Sequence, residues 1–225
     1  MERFYWYKAE LRSNFESFAR AIKKCTFDDG IGQGFTVSSI TENTLTGKYI
    51  LSKYVTQEYI NPFGENEIEE RRVFEMIDFE LINGPTILIE TKNPGRCMKP
   101  FFNDLHKCSN YDLSVDTPSF NLPNVIAELN SKGLKFIDVK EIELTNLVLG
   151  AKATGSLIVK GSLSLEDYEK TLPLADIRHR LKKFKAIVDY KGIRDTLEVH
   201  TSSKIITSGK LAQLIIPHIR DTLYD

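Results

Sequence analysis

Asp78, Glu90 and Lys92 are the residues of this chain whose types and order best suit catalysis. Glu90 and Lys92 close an apolar run, Ile87-Leu88-Ile89-Glu90-Thr91-Lys92-Asn93, which Asn93-Pro94-Gly95 ends. Asp78 lies in an earlier run, Val73 to Ile82, joined to the first through Asn83-Gly84-Pro85. Two carboxylates and an amine on one hairpin can hold a divalent metal and activate water. The same residues also make an ordinary wet sheet face, on which Glu and Lys pair across strands.

Register decides between these readings. Side chains alternate faces along a strand. Pairing Leu81 with Ile87 sets Asp78 opposite Glu90. It also gathers Asp78, Glu80, Glu90 and Lys92 on one face and Ile77, Phe79, Leu81, Ile87 and Ile89 on the other. A turn tighter by one residue dissolves the cluster. Segregation of apolar from charged residues favours the first register.

This hairpin resembles the core of the PD-(D/E)XK nuclease superfamily. The resemblance implies a Mg2+-dependent phosphodiesterase acting on nucleic acid, with Asp78 and Glu90 as metal ligands and Glu90 and Lys92 as catalytic residues. It implies Glu16, on the preceding helix, as an additional metal ligand, and Arg96 and Lys99 as phosphate contacts. It covers roughly Ser13 to Lys107. Ile77-Asp78 stands where the family has Pro-Asp, and the β stretch before Asp78 is longer than a minimal core needs.

Arg178, Arg180, Lys182, Lys183 and Lys185, with His179 among them, form the densest basic cluster. With Leu174, Ile177, Leu181 and Phe184 inward, a helix over Asp176–Lys185 presents them on its outer arc. That arc is a footprint for a phosphate backbone, or a solvated helix face. Tyr5, Trp6 and Tyr7 offer a base-stacking platform or core packing. His106, His179, His200 and His218 have no ligand spacing. Cys25, Cys97 and Cys108 are too scattered for a zinc site or a disulfide scaffold, and no Gly-x-Ser-x-Gly elbow occurs.

Several elements must position these groups. Phe4 to Leu11 reads as a strand. Ser13 and Glu16 form a capping box for a helix with Phe15, Phe18, Ala19 and Ile22 on one face and its end near Cys25. Asp28 to Gly34 reads as a flexible linker, and Phe35 to Lys92 as almost wholly β, broken at Asn61-Pro62-Phe63-Gly64 and by a charged rim from Glu65 to Arg72. Lys99 to Lys107 reads as a helix with Phe101, Phe102 and Leu105 inward. A polar break runs from Ser109 to Ser119. Helices are expected at Pro123–Ser131, at a turn over Ser164–Asp167 and at Leu211–Leu223. Strands are expected at Leu134–Leu144, Thr154–Val159, Ala186–Tyr190 and Thr196–Ile206.

The chain has 225 residues and a net charge of −1, with 41% hydrophobic and 27% charged residues. These values fit a globular protein with no global attraction to nucleic acid or anionic membrane. The expected fold is α+β, with long antiparallel sheets and packed helices. Two subdomains are expected: residues 1–110, β-rich with the Glu-x-Lys hairpin, and 111–225, with the basic helix. The sequence points to a cytoplasmic protein with no membrane partner. It acts on nucleic acid, as a Mg2+-dependent nuclease, or binds nucleic acid, a protein partner or its own copies without catalysis, as a subunit of a larger complex.

Overall fold

The computed structural model describes residues 1–150, 153–163 and 177–224. It corrects the expected α+β balance: 54% is strand and 21% helix, and the helices are short. The strands are β1 (Glu2–Leu11), β2 (Gln33–Ile40), β3 (Thr44–Ile60), β4 (Asn66–Ile82), β5 (Ile87–Lys92), β6 (Leu113–Asp116), β7 (Lys135–Gly150), β8 (Ala153–Leu163), β9 (Arg180–Tyr190), β10 (Ile193–His200) and β11 (Lys204–Thr207). The helices among the described residues are α1 (Phe15–Lys24), α2 (Met98–Cys108), α3 (Leu122–Ser131) and α4 (Gly209–Asp221). Hydrogen bonding orders the strands β2-β3-β4-β5-β1-β11-β10-β9-β7-β8, with β6 on β1. Among the described residues, the succession strand, helix, four strands, helix occurs twice, the second time with β8 added beside β7.

Three segments account for the shift toward strand. The basic segment expected to be a helix is β9 from Arg180 onward. Leu181 and Phe184 fit a helical spacing, but Phe184, Ala186, Val188 and Tyr190 are buried in strict alternation, and pairing with β7 and β10 fixes them in a sheet. The charged rim Glu65–Arg72 falls almost wholly within β4, which runs unbroken from Asn66 and pairs with β3 along its whole length. The polar break holds β6, which pairs with the second half of β1. The helical turn at Ser164–Asp167, along with Leu174 and Asp176, lies outside the described residues.

The chain divides into two compact units, Lys8–Asp116 and Met1–Tyr7 with Thr117–Asp225. In the first, β2, β3, β4 and β5 form a meander. Its odd-numbered face on β3 to β5 buries Leu45, Tyr49, Ile77, Phe79, Leu81 and Ile89. Phe101 of α2 sits against that face, its ring 5.3 Å from Phe79, 5.6 Å from Tyr49 and 6.2 Å from Phe35. Side chains of this size stabilise by about 1.5–3 kcal/mol each on burial. Helix α1 packs against β2 and α2 and buries Phe15, Phe18, Ala19 and Ile22, as its sequence period requires. Its cap is Asn14, whose side chain accepts from Ser17 N at 2.7 Å, one residue later than the Ser13 capping box expected.

The loop before β2 is built rather than slack. Asp28 Oδ1 accepts from Gly30 N and Ile31 N. Gly34 lies so close to Phe27 that a Cβ would stand 2.5 Å from its Cα.

In the second unit the first half of β1 pairs with β11. Trp6, fully buried, stacks on Phe4 and tilts against Phe120 at 5.8 Å. Lys191 and Gly192, both with positive φ, make the two-residue turn between β9 and β10, the geometry that suits twisted hairpins. Asn121 caps α3 and Ser208 caps α4, which tolerates Pro217 inside it.

Candidate functional site

The hairpin β4–β5 keeps the faces expected of it but not the register. Asp78 stands opposite Lys92, Glu80 opposite Glu90, and Leu81 opposite Ile89. The slip of two residues preserves parity, so Asp78, Glu80, Glu90 and Lys92 still share a face. The turn is wider because Asn83 N is engaged by Asn43 O at 2.8 Å and Pro85 has no N–H to close a tighter one. β5 is buried on both sides, Glu90 and Leu88 included.

On this face Asp78 sits between two lysines. Lys92 is its cross-strand partner on β5 and Lys48 on β3, with Lys48 Nζ 3.2 Å from Asp78 Oδ1. Glu16 is elsewhere: it lies on the exposed side of α1, ion-paired with Arg20. Helices α1 and α2 cover the odd-numbered face, so the sheet separates Glu16 from Asp78 and Glu90. Lys99 is exposed in the first turn of α2 and Arg96 in the turn before it. Among the described residues no three His, Cys, Asp or Glu side chains converge on a common point.

The basic residues of β9 face an acidic strand. Lys182 Nζ lies 2.7 Å from Glu143 and Lys183 Nζ 2.5 Å from Glu141. Lys185 is the cross-strand partner of Glu141. Burial pulls the Lys183 amine down, but its hydrogen bond to Glu141 and the charges of Glu198, Glu141 and Glu143 outweigh it, so its pKa rises. The Lys183 hydrogen bond holds Glu141 below the usual carboxylate range. Arg180 donates to Ser119 Oγ at 3.0 Å, and Arg178 is exposed just before β9. The row is a cross-strand charge ladder. His179, His200 and His218 each hydrogen-bond within the fold, to Ile177 O, Glu198 and Tyr190 respectively.

The feature sequence reasoning missed is the outer part of the β3–β4 hairpin. β2 reaches only to Leu51 and β5 only to Asp78. Ser52 N still donates to Gly32 O at 2.7 Å, and from Lys53↔Val73 to Ile60↔Asn66 the two strands pair with each other alone. Eight pairs at about 3.3 Å each make a ribbon about 26 Å long. A hairpin of this kind is marginal in water without further support. Here the tip is tied by a polar knot. Asn61 Oδ1 accepts from Phe63 N and Glu65 N, its amide donates to Glu65 and Glu67, and Tyr59 OH donates to Glu67 at 2.6 Å. Those bonds from Tyr59 and Asn61 lower the Glu67 pKa, and the Tyr59 hydroxyl is raised by the same bond. At the base, Lys53 pairs with Glu75, and Arg72 pairs with Asp29 at 2.7 Å and lies 5.0 Å over Phe74.

The knot holds apolar side chains out in water. Phe63 is 87% exposed, Ile60 70% and Ile68 69%, with Tyr54 and Tyr59 beside them. Residues 56–70 contain Glu58, Glu65, Glu67, Glu69 and Glu70 and no Lys or Arg. The outer part of the ribbon is therefore both apolar and acidic, with Lys53, Arg71 and Arg72 nearer its base. An odd-even exposure of large residues in a segment with no core to face is the signal that would have marked it.

A second overlooked feature is a polar node under α2. Asp104 is buried and accepts from Tyr49 OH at 2.9 Å, Lys107 Nζ at 2.9 Å and Gln33 Nε2 at 3.2 Å. Burial first, then the bond to Asp104, holds the Tyr49 hydroxyl far above its ordinary value. Of the residues expected inward on α2, Phe101 and Leu105 are buried and Phe102 is half-buried, while Asp104 is buried beside Leu105. Compared with known proteins, the chain matches no family model and no curated sequence. Among the described residues, no helix is long and apolar enough to cross a membrane.

Proposed function

We propose that this protein is a non-catalytic binding module that docks a protein partner through the β3–β4 ribbon. The carrying observation is the ribbon tip, where a dedicated hydrogen-bond knot keeps Phe63, Ile60 and Ile68 exposed among five glutamates. Exposed apolar clusters of this kind are binding surfaces more often than accidents. The five glutamates of the tip repel phosphate and favour a basic surface with an apolar pocket for the Phe63 ring.

The nuclease reading, which needs Mg2+ at Asp78 and Glu90, draws less support. Asp78 is matched by Lys48 and Lys92, and Glu16 lies on the other side of the sheet. The basic row that would grip nucleic acid is balanced by Glu141 and Glu143. Incubation with single- and double-stranded DNA and RNA in Mg2+ or Mn2+ separates the two. The binding reading predicts no cleavage above a metal-free control. Metal-dependent cleavage that vanishes in folded Glu90→Ala and Lys92→Ala overturns it.

A further inference from the structure

Cys25 and Cys108 are 83 residues apart in sequence, yet their sulfurs are 2.7 Å apart. Both backbones are pinned. Cys25 ends α1, its N–H bonded to Ala21 O and Ile22 O, and its carbonyl accepts from Phe35 N at the start of β2. Cys108 is the last residue of α2, and Ser109 beyond it donates to Leu105 O. The two helix ends therefore aim the thiols at each other. A disulfide needs about 2.05 Å between sulfurs, so closure asks for a shift of about 0.7 Å. Cys25 is exposed and Cys108 half-buried. Both line an open cleft of about 380 Å³ with Lys24, Asp28, Asp104 and Lys107, which admits a small oxidant. Cys97, the third thiol, is buried elsewhere, at the start of α2.

We infer that Cys25 and Cys108 form an oxidative modification site, a dithiol that hydrogen peroxide converts to an intramolecular disulfide clamping the C-terminal ends of α1 and α2. The exposed Cys25 thiolate attacks one peroxide oxygen. The O–O bond breaks, the departing hydroxide takes up the thiol proton as water, and Cys25 is left as a sulfenic acid. The Cys108 sulfur then attacks the Cys25 sulfur, the S–O bond breaks, and the hydroxyl leaves with the Cys108 proton as a second water. Two thiols lose two electrons and two protons, and one peroxide is reduced to two waters. This chemistry does not depend on what the ribbon binds.

The test is peptide mapping of the reduced full-length protein after titration with hydrogen peroxide, without reductant in the digest. The expected product is a single Cys25–Cys108 linked peptide, with the mass of two hydrogens lost, the Cys97 thiol still free, and full reversal by dithiothreitol. Cys97→Ser gives the same product. A disulfide that involves Cys97, a disulfide between two chains, oxidation of Cys25 to sulfinate without the link, or a dithiol inert to peroxide overturns the inference.

Discussion

Two phenylalanines in the Lys8–Asp116 unit give opposite predictions for the same substitution. Phe101 is fully buried, and its ring meets those of Phe102, Phe79, Tyr49 and Phe35 at centroid distances of 5.2–6.2 Å. Truncating such a residue costs about 3–5 kcal/mol, a large share of the roughly 5–15 kcal/mol that holds a domain folded. Phe63 is 87% exposed at the ribbon tip, so Phe63→Ala should stay within about 0.5 kcal/mol of wild type. With a urea m-value of about 2–3 kcal/mol/M, Phe101→Ala lowers the midpoint by about 1–2.5 M and Phe63→Ala leaves it within about 0.3 M. The single tryptophan, Trp6, belongs to the other unit. Hydrogen exchange on peptides from α2 and β4 is therefore the readout, not its fluorescence. If Phe101→Ala prevents folding, Phe101→Leu, with a smaller expected loss, takes its place. A cost above about 1.5 kcal/mol for Phe63→Ala would refute the reasoning, because the ring would then be part of the fold and not held out for a partner.

Three further outcomes follow from the same geometry. Replacing residues 55–71 by Asn-Gly joins Tyr54 to Arg72, which are already cross-strand partners; the shortened protein should fold with an unchanged circular dichroism melt, and loss of folding would show that the ribbon contributes core. Oxidation of Cys25 and Cys108 closes a loop of about 83 residues, for which chain entropy gives a gain of up to about 4.5 kcal/mol; the urea midpoint should rise on peroxide treatment and stay put in Cys25→Ser. Tyr49 has a folded pKa raised above its unfolded value of 10.0, so its contribution is complete below pH 10 and is lost as pH climbs above it; alkaline titration should destabilise wild type more steeply than Tyr49→Phe, and equal slopes would remove Tyr49 from the account.

The sequence made some of this legible and hid the rest for identifiable reasons. The apolar face of α1 was readable because Phe15, Phe18, Ala19 and Ile22 recur at a helical period and bury against a neighbouring layer. The faces of the β4–β5 hairpin were readable because alternation survives a two-residue slip. The ribbon was not readable as one strand, since residues 66–72 carry charge on both faces and no core selects a side; only the partner strand β3 holds them extended. β9 read as a helix because Leu181 and Phe184 sit three apart, and tertiary pairing with β7 and β10 overrode that spacing. The Cys25–Cys108 pair and the Tyr49–Asp104 bond join residues 83 and 55 positions apart, separations that no local pattern reports.

We propose that a protein partner docks at the ribbon tip. The most direct measurement replaces Phe63 with a photo-crosslinking amino acid in the full chain inside its native cells, with the exposed Lys132 as the comparison position. A discrete protein adduct from position 63 is the expected result. Its partner, once purified, should bind wild type and lose binding to the Glu67→Lys, Glu69→Lys, Glu70→Lys variant. Adducts to nucleic acid, equal adducts from position 132, or a purified partner that binds the charge-reversed ribbon as well as wild type would contradict it.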